Sequence, residues 1–335
     1  MARFTPFDDP AVPADPVYWV AAFGVGSSFN DGSGLPVTAT WAFKESGTNR
    51  GGQELRPLTE AEQANIRDAV DKLTADTGLV MVEGDVADAG LVFAASSDPD
   101  EFAYGRTYYP APGAQVEVLA YDHPYDTAEG LARNSYIYKH ELLHGVGLGH
   151  STRAFGSTLE VVIPEGEDTG TTLFGRWSGA WANDIQLFDL AALHYLYGPN
   201  PEARAGDDTY VPGLGAFDPA APDENVPLLW DGGGIDTIDL SEAVGRIVAT
   251  LEPGEISRIG NTDAGILDAG TFSINYRSAF ENLIGGADND SLSGNALDNA
   301  IAGGNGRDRI SGQDGDDLLQ GGKGGDRLKG QGGAD

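Results

Sequence analysis

The sequence predicts two structural classes in one chain: an α+β domain over residues 1–200, then an all-β parallel roll over residues 201–335. Three observations carry this. Helix-periodic segments occur only in the first 200 residues; Gly, Asp and Asn rise beyond them; and from Gly285 onward the text repeats every nine residues.

In chain order, residues 1–57 are mixed and turn-rich, with Gly24–Gly34 a Gly/Ser/Asn loop and Val37–Phe43 a strand. Thr59-Glu60-Ala61-Glu62 fits a capping box, Thr59 as cap and Glu62 reaching back. Ile66, Ala69, Val70 and Leu73 follow at helical spacing, and Gly78 ends the run. Leu79–Val82 and Leu91–Ala94 read as short strands, and Tyr104–Tyr109 and Val116–Tyr121 as two more around Pro110–Gly113. Further helices are expected over Ala132–Gly145 and over Asp184–Tyr197, the latter closed by Gly198-Pro199.

Charge excludes whole classes of function. Against 52 acidic residues stand 20 Lys and Arg, a net charge of −32. Such a chain repels phosphate backbones and anionic lipid, so nucleic-acid partners and membrane insertion are not expected. No run of 18 apolar residues is present. Cysteine is absent, so extracellular stability must rest on other staples, such as metals. The N-terminus lacks the apolar stretch of a Sec signal peptide.

The chemistry-bearing motif is His140-Glu141-Leu142-Leu143-His144-Gly145-Val146-Gly147-Leu148-Gly149-His150, which holds three of the chain's five histidines. Histidines at i and i+4 share one helix face and reach one metal. Gly147 permits the positive φ that ends the helix and returns the chain, which brings His150 in as third ligand. Three protein ligands leave a fourth position open, the catalytic arrangement of zinc. Glu141, beside the first ligand, stands where a general base is needed.

HExxHxxGxxH is the zinc signature of the metzincins, and the chain from about residue 55 onward resembles their serralysin branch, with Leu58–Leu73 and Asp189–Gly198 similar to that family's framing helices. The resemblance implies His140, His144 and His150 as zinc ligands and Glu141 as general base. It also implies a peptide lying antiparallel along the edge strand, with Tyr104, Gly105, Arg106, Thr107, Tyr108 and Arg176 lining the cleft. Two positions depart from the family. Phe174 stands at the place of the methionine beneath the metal, and Arg176 at the place of a zinc-binding tyrosine. Arginine donates hydrogen bonds but does not ligate zinc as phenolate does, so four-coordinate zinc is expected.

The nine-residue pattern is GGxGxDxUx, the RTX repeat of calcium-binding β-rolls. Its sixth place holds Asp290, Asn299, Asp308, Asp317, Asp326 and Asp335; its eighth holds Leu292, Ile301, Ile310, Leu319 and Leu328. Two repeats complete a coil, which stacks Asp290, Asp308 and Asp326 on one edge and Asn299, Asp317 and Asp335 on the other. Stacked carboxylates repel unless a cation such as Ca2+ sits between them, and the Asn299 site is expected to be the weaker. The segment Trp230–Asp239 resembles the serralysin calcium loop, which implies Asp208, Asp231, Asp236 and Asp239 as ligands, with Glu281 a further one. The text stops inside a sixth repeat, and the family's secretion signal is not visible, so the sequence reads as a truncated or processed form.

Together these imply a secreted zinc endopeptidase, exported by a type I system, monomeric, with Zn2+ and Ca2+ as cofactors and with protein or peptide substrates and a proteinaceous inhibitor as partners. The alternative is a non-catalytic, calcium-dependent binding protein on a degenerate protease domain, which Phe174 and Arg176 keep open.

Overall fold

The computed structural model describes residues 5–6, 27–29, 36–96, 105–108, 115–121, 128–149, 185–213, 215, 226–260 and 265–335. The chain divides into two compact units, Met1–Asn200 and Pro201–Asp335.

In the first unit β1 (Thr5–Pro6) pairs antiparallel with β2 (Ser27–Ser28). The main sheet contains β3 (Val37–Phe43), β4 (Leu55–Arg56), β5 (Leu79–Glu83), β6 (Leu91–Ser96), β7 (Gly105–Tyr108) and β8 (Val116–Tyr121). Its order is β5-β3-β6-β8-β7, with β4 antiparallel beside β6. The pairs β3–β5, β3–β6 and β6–β8 are parallel, and β7 closes the edge antiparallel to β8. β6 is buried along its whole length, which is why Leu-Val-Phe-Ala-Ala reads as an unbroken apolar run and not as an alternation.

Three helices complete the unit: α1 (Glu60–Asp76), α2 (Ala128–Gly145) and α3 (Leu187–Tyr197). In α1, Ile66, Ala69, Val70 and Leu73 are buried, as their spacing predicts. The capping box forms: Glu62 N donates to Thr59 Oγ1 (3.2 Å) and Thr59 N to Glu62 Oε2 (2.7 Å). The helix stops at extended Thr77, one residue before Gly78. Gly78 has a different reason to be glycine: a Cβ there would overlap the Tyr197 carbonyl oxygen. α2 starts four residues before the expected Ala132 and packs on α1, β7 and β8. α3 begins at Leu187, after extended Gln186, whose N–H donates to Asp189 (2.9 Å). It is buried on all sides, and His194 within it has a packing role, Nε2 lying 2.9 Å from the Asp76 carbonyl.

The second unit is all β. Its strands are β9 (Thr209–Tyr210), β10 (Leu228–Leu229), β11 (Thr237–Asp239), β12 (Ile247–Thr250), β13 (Ile256–Ile259), β14 (Thr271–Ile274), β15 (Asn282–Ile284), β16 (Ser291–Ser293), β17 (Ala300–Ala302), β18 (Arg309–Asp314), β19 (Leu318–Gln320) and β20 (Arg327–Gly332). They form two sheets, β10-β14-β13-β12-β16-β18-β20 and β19-β17-β15-β11-β9. Alternate repeats feed alternate sheets. Leu292 is in register with Ile310 and Ile310 with Leu328 in one; Leu283 pairs with Ile301 and Ile301 with Leu319 in the other. Leu283, Leu292, Ile301 and Ile310 are buried in the core between the sheets together with Phe272 and Phe280.

Candidate metal centres

α2 carries His140, Glu141 and His144 in its last two turns. Gly145 follows, and a Cβ there would lie 2.9 Å from Leu91 Cδ1 and 3.1 Å from Val118 Cγ2, so the helix end rests directly on the sheet. The termination is the one the glycine spacing predicts. Leu148 N donates to Leu143 O and Gly147 N to His144 O, both at 3.0 Å, with Gly147 at φ 114°. Tyr197 Oη, from α3, donates to the Val146 carbonyl at 2.5 Å and holds this turn.

The His140 and His144 rings stand 4.8 Å apart, nearly perpendicular. His144 Nδ1 lies 2.7 Å from the Leu148 carbonyl. A carbonyl only accepts, so Nδ1 carries the hydrogen and the lone pair is on Nε2. This is how metal-binding imidazoles are oriented. Two imidazoles so placed fit zinc. His150, the expected third ligand, lies outside the described residues, as do Tyr104, Phe174 and Arg176.

Glu141 is 8% exposed. Burial pushes its carboxyl up to about 7, against the opposing effects of a hydrogen bond from Thr107 and the charge of Arg106. The Thr107 hydroxyl lies 2.8 Å from both Glu141 Oε2 and the Glu141 carbonyl. Thr107 belongs to β7, the sheet edge expected from the sequence, with Gly105, Arg106 and Tyr108. The Thr107 contact has no signature in the sequence.

In the C-terminal unit the stacks form as the repeat predicts. Asp290 N donates to Asp308 Oδ1 and Asp308 N to Asp326 Oδ1; on the other edge Asn299 N donates to Asp317 Oδ1 and Asp317 N to Asp335 Oδ1, each 18 residues on. Asp308 Oδ2 and Asp317 Oδ2 are buried and have no hydrogen-bond partner. Glycine carbonyls converge there: a Cβ on Gly303 would meet Asp308 Oδ2 and Gly321 O, both at 2.6 Å. Buried, unpartnered carboxylate oxygen beside inward carbonyls fits a hard, oxygen-seeking dication.

The first two turns differ. Asp290 accepts Ile247 N and Gly286 N, one on each oxygen. Asn299 Oδ1 accepts Asn295 N, and Asn299 Nδ2 donates to Asn295 Oδ1. Asn295 Nδ2 in turn donates to Phe280 O and Leu251 O. Left-handed residues at the second and fourth repeat places begin only with Gly304 and Gly306 and recur at Gln313 and Gly315, Gly322 and Gly324, and Gln331 and Gly333.

Asp208, Asp231 and Asp236 meet with carboxylate oxygens within 4.8 Å of one another. Asp231 accepts Tyr210 Oη (2.5 Å) and Gly233 N (2.7 Å); Asp236 Oδ1 accepts Asp208 N (2.8 Å), while its Oδ2 has no partner. Burial first, then the Asp231 and Glu281 charges, raise Asp236 to about 6. Glu281 adjoins the cluster, Oε2 accepting Asp236 N (2.8 Å). Asp239 has a local contact. It is not in the cluster, and its Oδ1 accepts Ser241 N (2.9 Å), an Asx turn at the end of β11.

Comparison with known proteins agrees with this layout. Residues 278–310, 293–328 and 302–335 match the family model for the RTX calcium-binding nonapeptide repeat. Serralysin of Proteus mirabilis is 30% identical over 242 residues, 65% of this chain and 46% of the relative. The chain is serralysin-like. Metallopeptidase AprA of Pseudomonas marginalis is 31% identical over 244 residues, 64% of this chain and 50% of that protein. Serralysin G of Dickeya chrysanthemi is 33% identical over 178 residues, covering 48% and 36%. This serralysin-like chain spans about half the length of the curated relatives it matches.

Proposed function

We propose that the chain is a secreted, zinc-dependent endopeptidase with a metzincin-like catalytic domain over 1–200 and a calcium-binding roll over 201–335. The observation that carries this is the grouping on α2 of His140, His144 and a buried Glu141 that meets Thr107 of edge strand β7. His140, His144 and His150 hold the zinc, which when bound supplies a Lewis acid and lowers the pKa of water toward ~7. Glu141 accepts a proton at its carboxylate and passes it to the leaving amine. An edge strand has main-chain groups that its own sheet leaves unmatched, so β7 receives an extended protein or peptide substrate antiparallel. Gly105, Arg106, Thr107 and Tyr108 belong to that strand.

Ca2+ is held by Asp308, Asp317, Asp326 and Asp335 in the repeats and by Asp208, Asp231, Asp236 and Glu281 in the loop before them. The three buried oxygens without partners support this. Nonapeptide repeats in a cysteine-free chain support export through a type I system. A monomer that meets substrates, and a proteinaceous inhibitor, outside the cell completes the reading.

Glu141→Gln tests the catalytic assignment. Zinc content is expected to stay near one per chain while casein hydrolysis falls ~10²-fold or more. Phe174 and Arg176 favour a second reading, a calcium-dependent binding protein that retains zinc without catalysis. A zinc-loaded wild type that leaves unfolded proteins intact would establish that reading instead.

A further inference from the structure

We propose that Thr107 is a positioning residue: its hydroxyl, on edge strand β7, tethers the Glu141 side chain to the Glu141 main chain and so fixes where the carboxylate points. The inference rests on the reading of Glu141 as the group that moves the proton.

The geometry begins with strand alternation. Arg106 is exposed, whereas Gly105 and Thr107 on either side of it turn toward α2. Gly105 brings the strand down onto the helix. A Cβ there would lie 2.6 Å from Ile137 Cγ2 and 2.8 Å from Glu141 Cγ, closer than side-chain carbons approach, so only glycine admits this spacing. Two residues on, the Thr107 hydroxyl arrives 2.8 Å from the Glu141 carbonyl oxygen and 2.8 Å from Glu141 Oε2.

The hydroxyl has one hydrogen for two acceptors. It shares that hydrogen between both ends of the glutamate when the carboxylate is ionised. It closes a full ring when the carboxyl is protonated and donates to Oγ1 while Oγ1 donates to the Glu141 carbonyl. The torsions between its main chain and its carboxylate are then held, where a solvated glutamate samples several rotamers. The pairing of Thr107 with Val118 in β8 fixes the hydroxyl in turn, because the strand cannot slide without breaking the ladder. A general base delivers its rate only when held within hydrogen-bond reach of the proton it takes. A side chain that holds it there contributes to turnover through Glu141, apart from whatever the strand's main chain offers the substrate.

This role is separable from lining the cleft. Loss of a substrate contact raises KM, while loss of a tether lowers kcat. Thr107→Val keeps the branched shape and removes the hydroxyl; Thr107→Ala removes it without the branch; Thr107→Ser keeps it. On a fluorogenic peptide at full zinc occupancy, the Val and Ala variants are expected to lose about 10-fold to 10²-fold in kcat, as a misplaced catalytic group does, with KM within about two-fold. The Ser variant is expected to retain most of kcat. A KM effect with kcat intact, or a Ser variant no better than Val, overturns the proposal.

A second measurement needs no turnover. In the zinc-free full chain, thermal midpoints of Thr107→Val, Glu141→Leu and the double variant are expected to be non-additive. Additive midpoints overturn the tether. An inactive wild type with non-additive midpoints refutes the endopeptidase reading and leaves the tether standing, so the two failures are distinguishable.

Discussion

In the N-terminal unit, Glu62 and Glu117 are buried with donors on both carboxylate oxygens. Glu117 accepts Lys44 Nζ (2.8 Å) and Arg50 N (2.9 Å). Glu62 accepts both Arg56 guanidinium nitrogens (2.7 and 2.9 Å), the Thr59 N–H (2.7 Å) and Tyr138 Oη (3.3 Å). In the C-terminal unit, Asp236, Asp308 and Asp317 each bury one oxygen that meets no donor. Both units bury acid and offer it backbone amides, but Glu62 and Glu117 also meet Arg56 and Lys44, whereas Asp236, Asp308 and Asp317 each keep one oxygen unmet. The second leaves positions that a bound ion must complete, because an unpartnered buried carboxylate oxygen is costly. The same contrast recurs on a smaller scale inside the roll. Asp290 and Asn299 in the first two turns are satisfied by the protein, whereas Asp308 and Asp317 in the next two are not.

Calcium removal breaks the comparison most forcefully. With chelator, amide exchange and limited proteolysis are expected to show loss of order from about residue 303 onward, with the N-terminal unit protected as before. The first coil, whose turns are held by Ile247, Gly286 and Asn295, is expected to outlast the later ones. Equal protection of residues 303–335 with and without calcium contradicts the contrast.

A pair of substitutions sharpens it. Asn295→Ala leaves the Phe280 and Leu251 carbonyls without the amide that now meets them, at a cost of about 1–3 kcal/mol, equal with and without calcium. Asp308→Ala is instead expected to shift the calcium midpoint for folding upward, and its effect to shrink when calcium is absent. Calcium titrations followed by circular dichroism separate the two patterns; matching shifts for both variants argue that the turns are alike.

The smallest effect is at Glu62. Burial alone would raise its pKa, but the Arg56 and Thr59 hydrogen bonds outweigh it and hold the carboxyl below 4.5. A folded value below the unfolded one gives stability that is complete above about pH 4.5 and is lost as pH falls through the folded value. Glu62→Gln is therefore expected to lower the melting temperature of the N-terminal unit at pH 7, at a cost of about 1 kcal/mol. The gap to wild type is expected to narrow below pH 4.5. A gap that holds constant down to pH 3 argues against the ion pair with Arg56.

Where a pattern is short in sequence, it was readable. The Thr59–Glu62 box spans four residues, the Gly147 turn follows within seven of His140, and the stacked aspartates recur every 18. Val37–Phe43 and Val116–Tyr121 have the bounds their apolar runs suggest. Asp239, implied as a ligand by resemblance, shows a local contact that the resemblance did not point to. Resemblance placed it by spacing within the Trp230–Asp239 loop, whereas its carboxylate serves the local turn to Ser241.

What the amino-acid order settled on its own was therefore whatever depends on helical, strand or nonapeptide periods, because those interactions join residues a few places apart or repeat at a fixed interval. What awaited the folded chain was which distant groups meet: Thr107 with Glu141 across 34 residues, Tyr138 with Glu62 across 76, and Asn295 with Leu251 across 44. These follow from sheet register and from how closely glycines such as Gly105 let strand and helix approach. Register and approach are properties of the packed whole, since a shift of one residue turns every side chain on a strand to the opposite face.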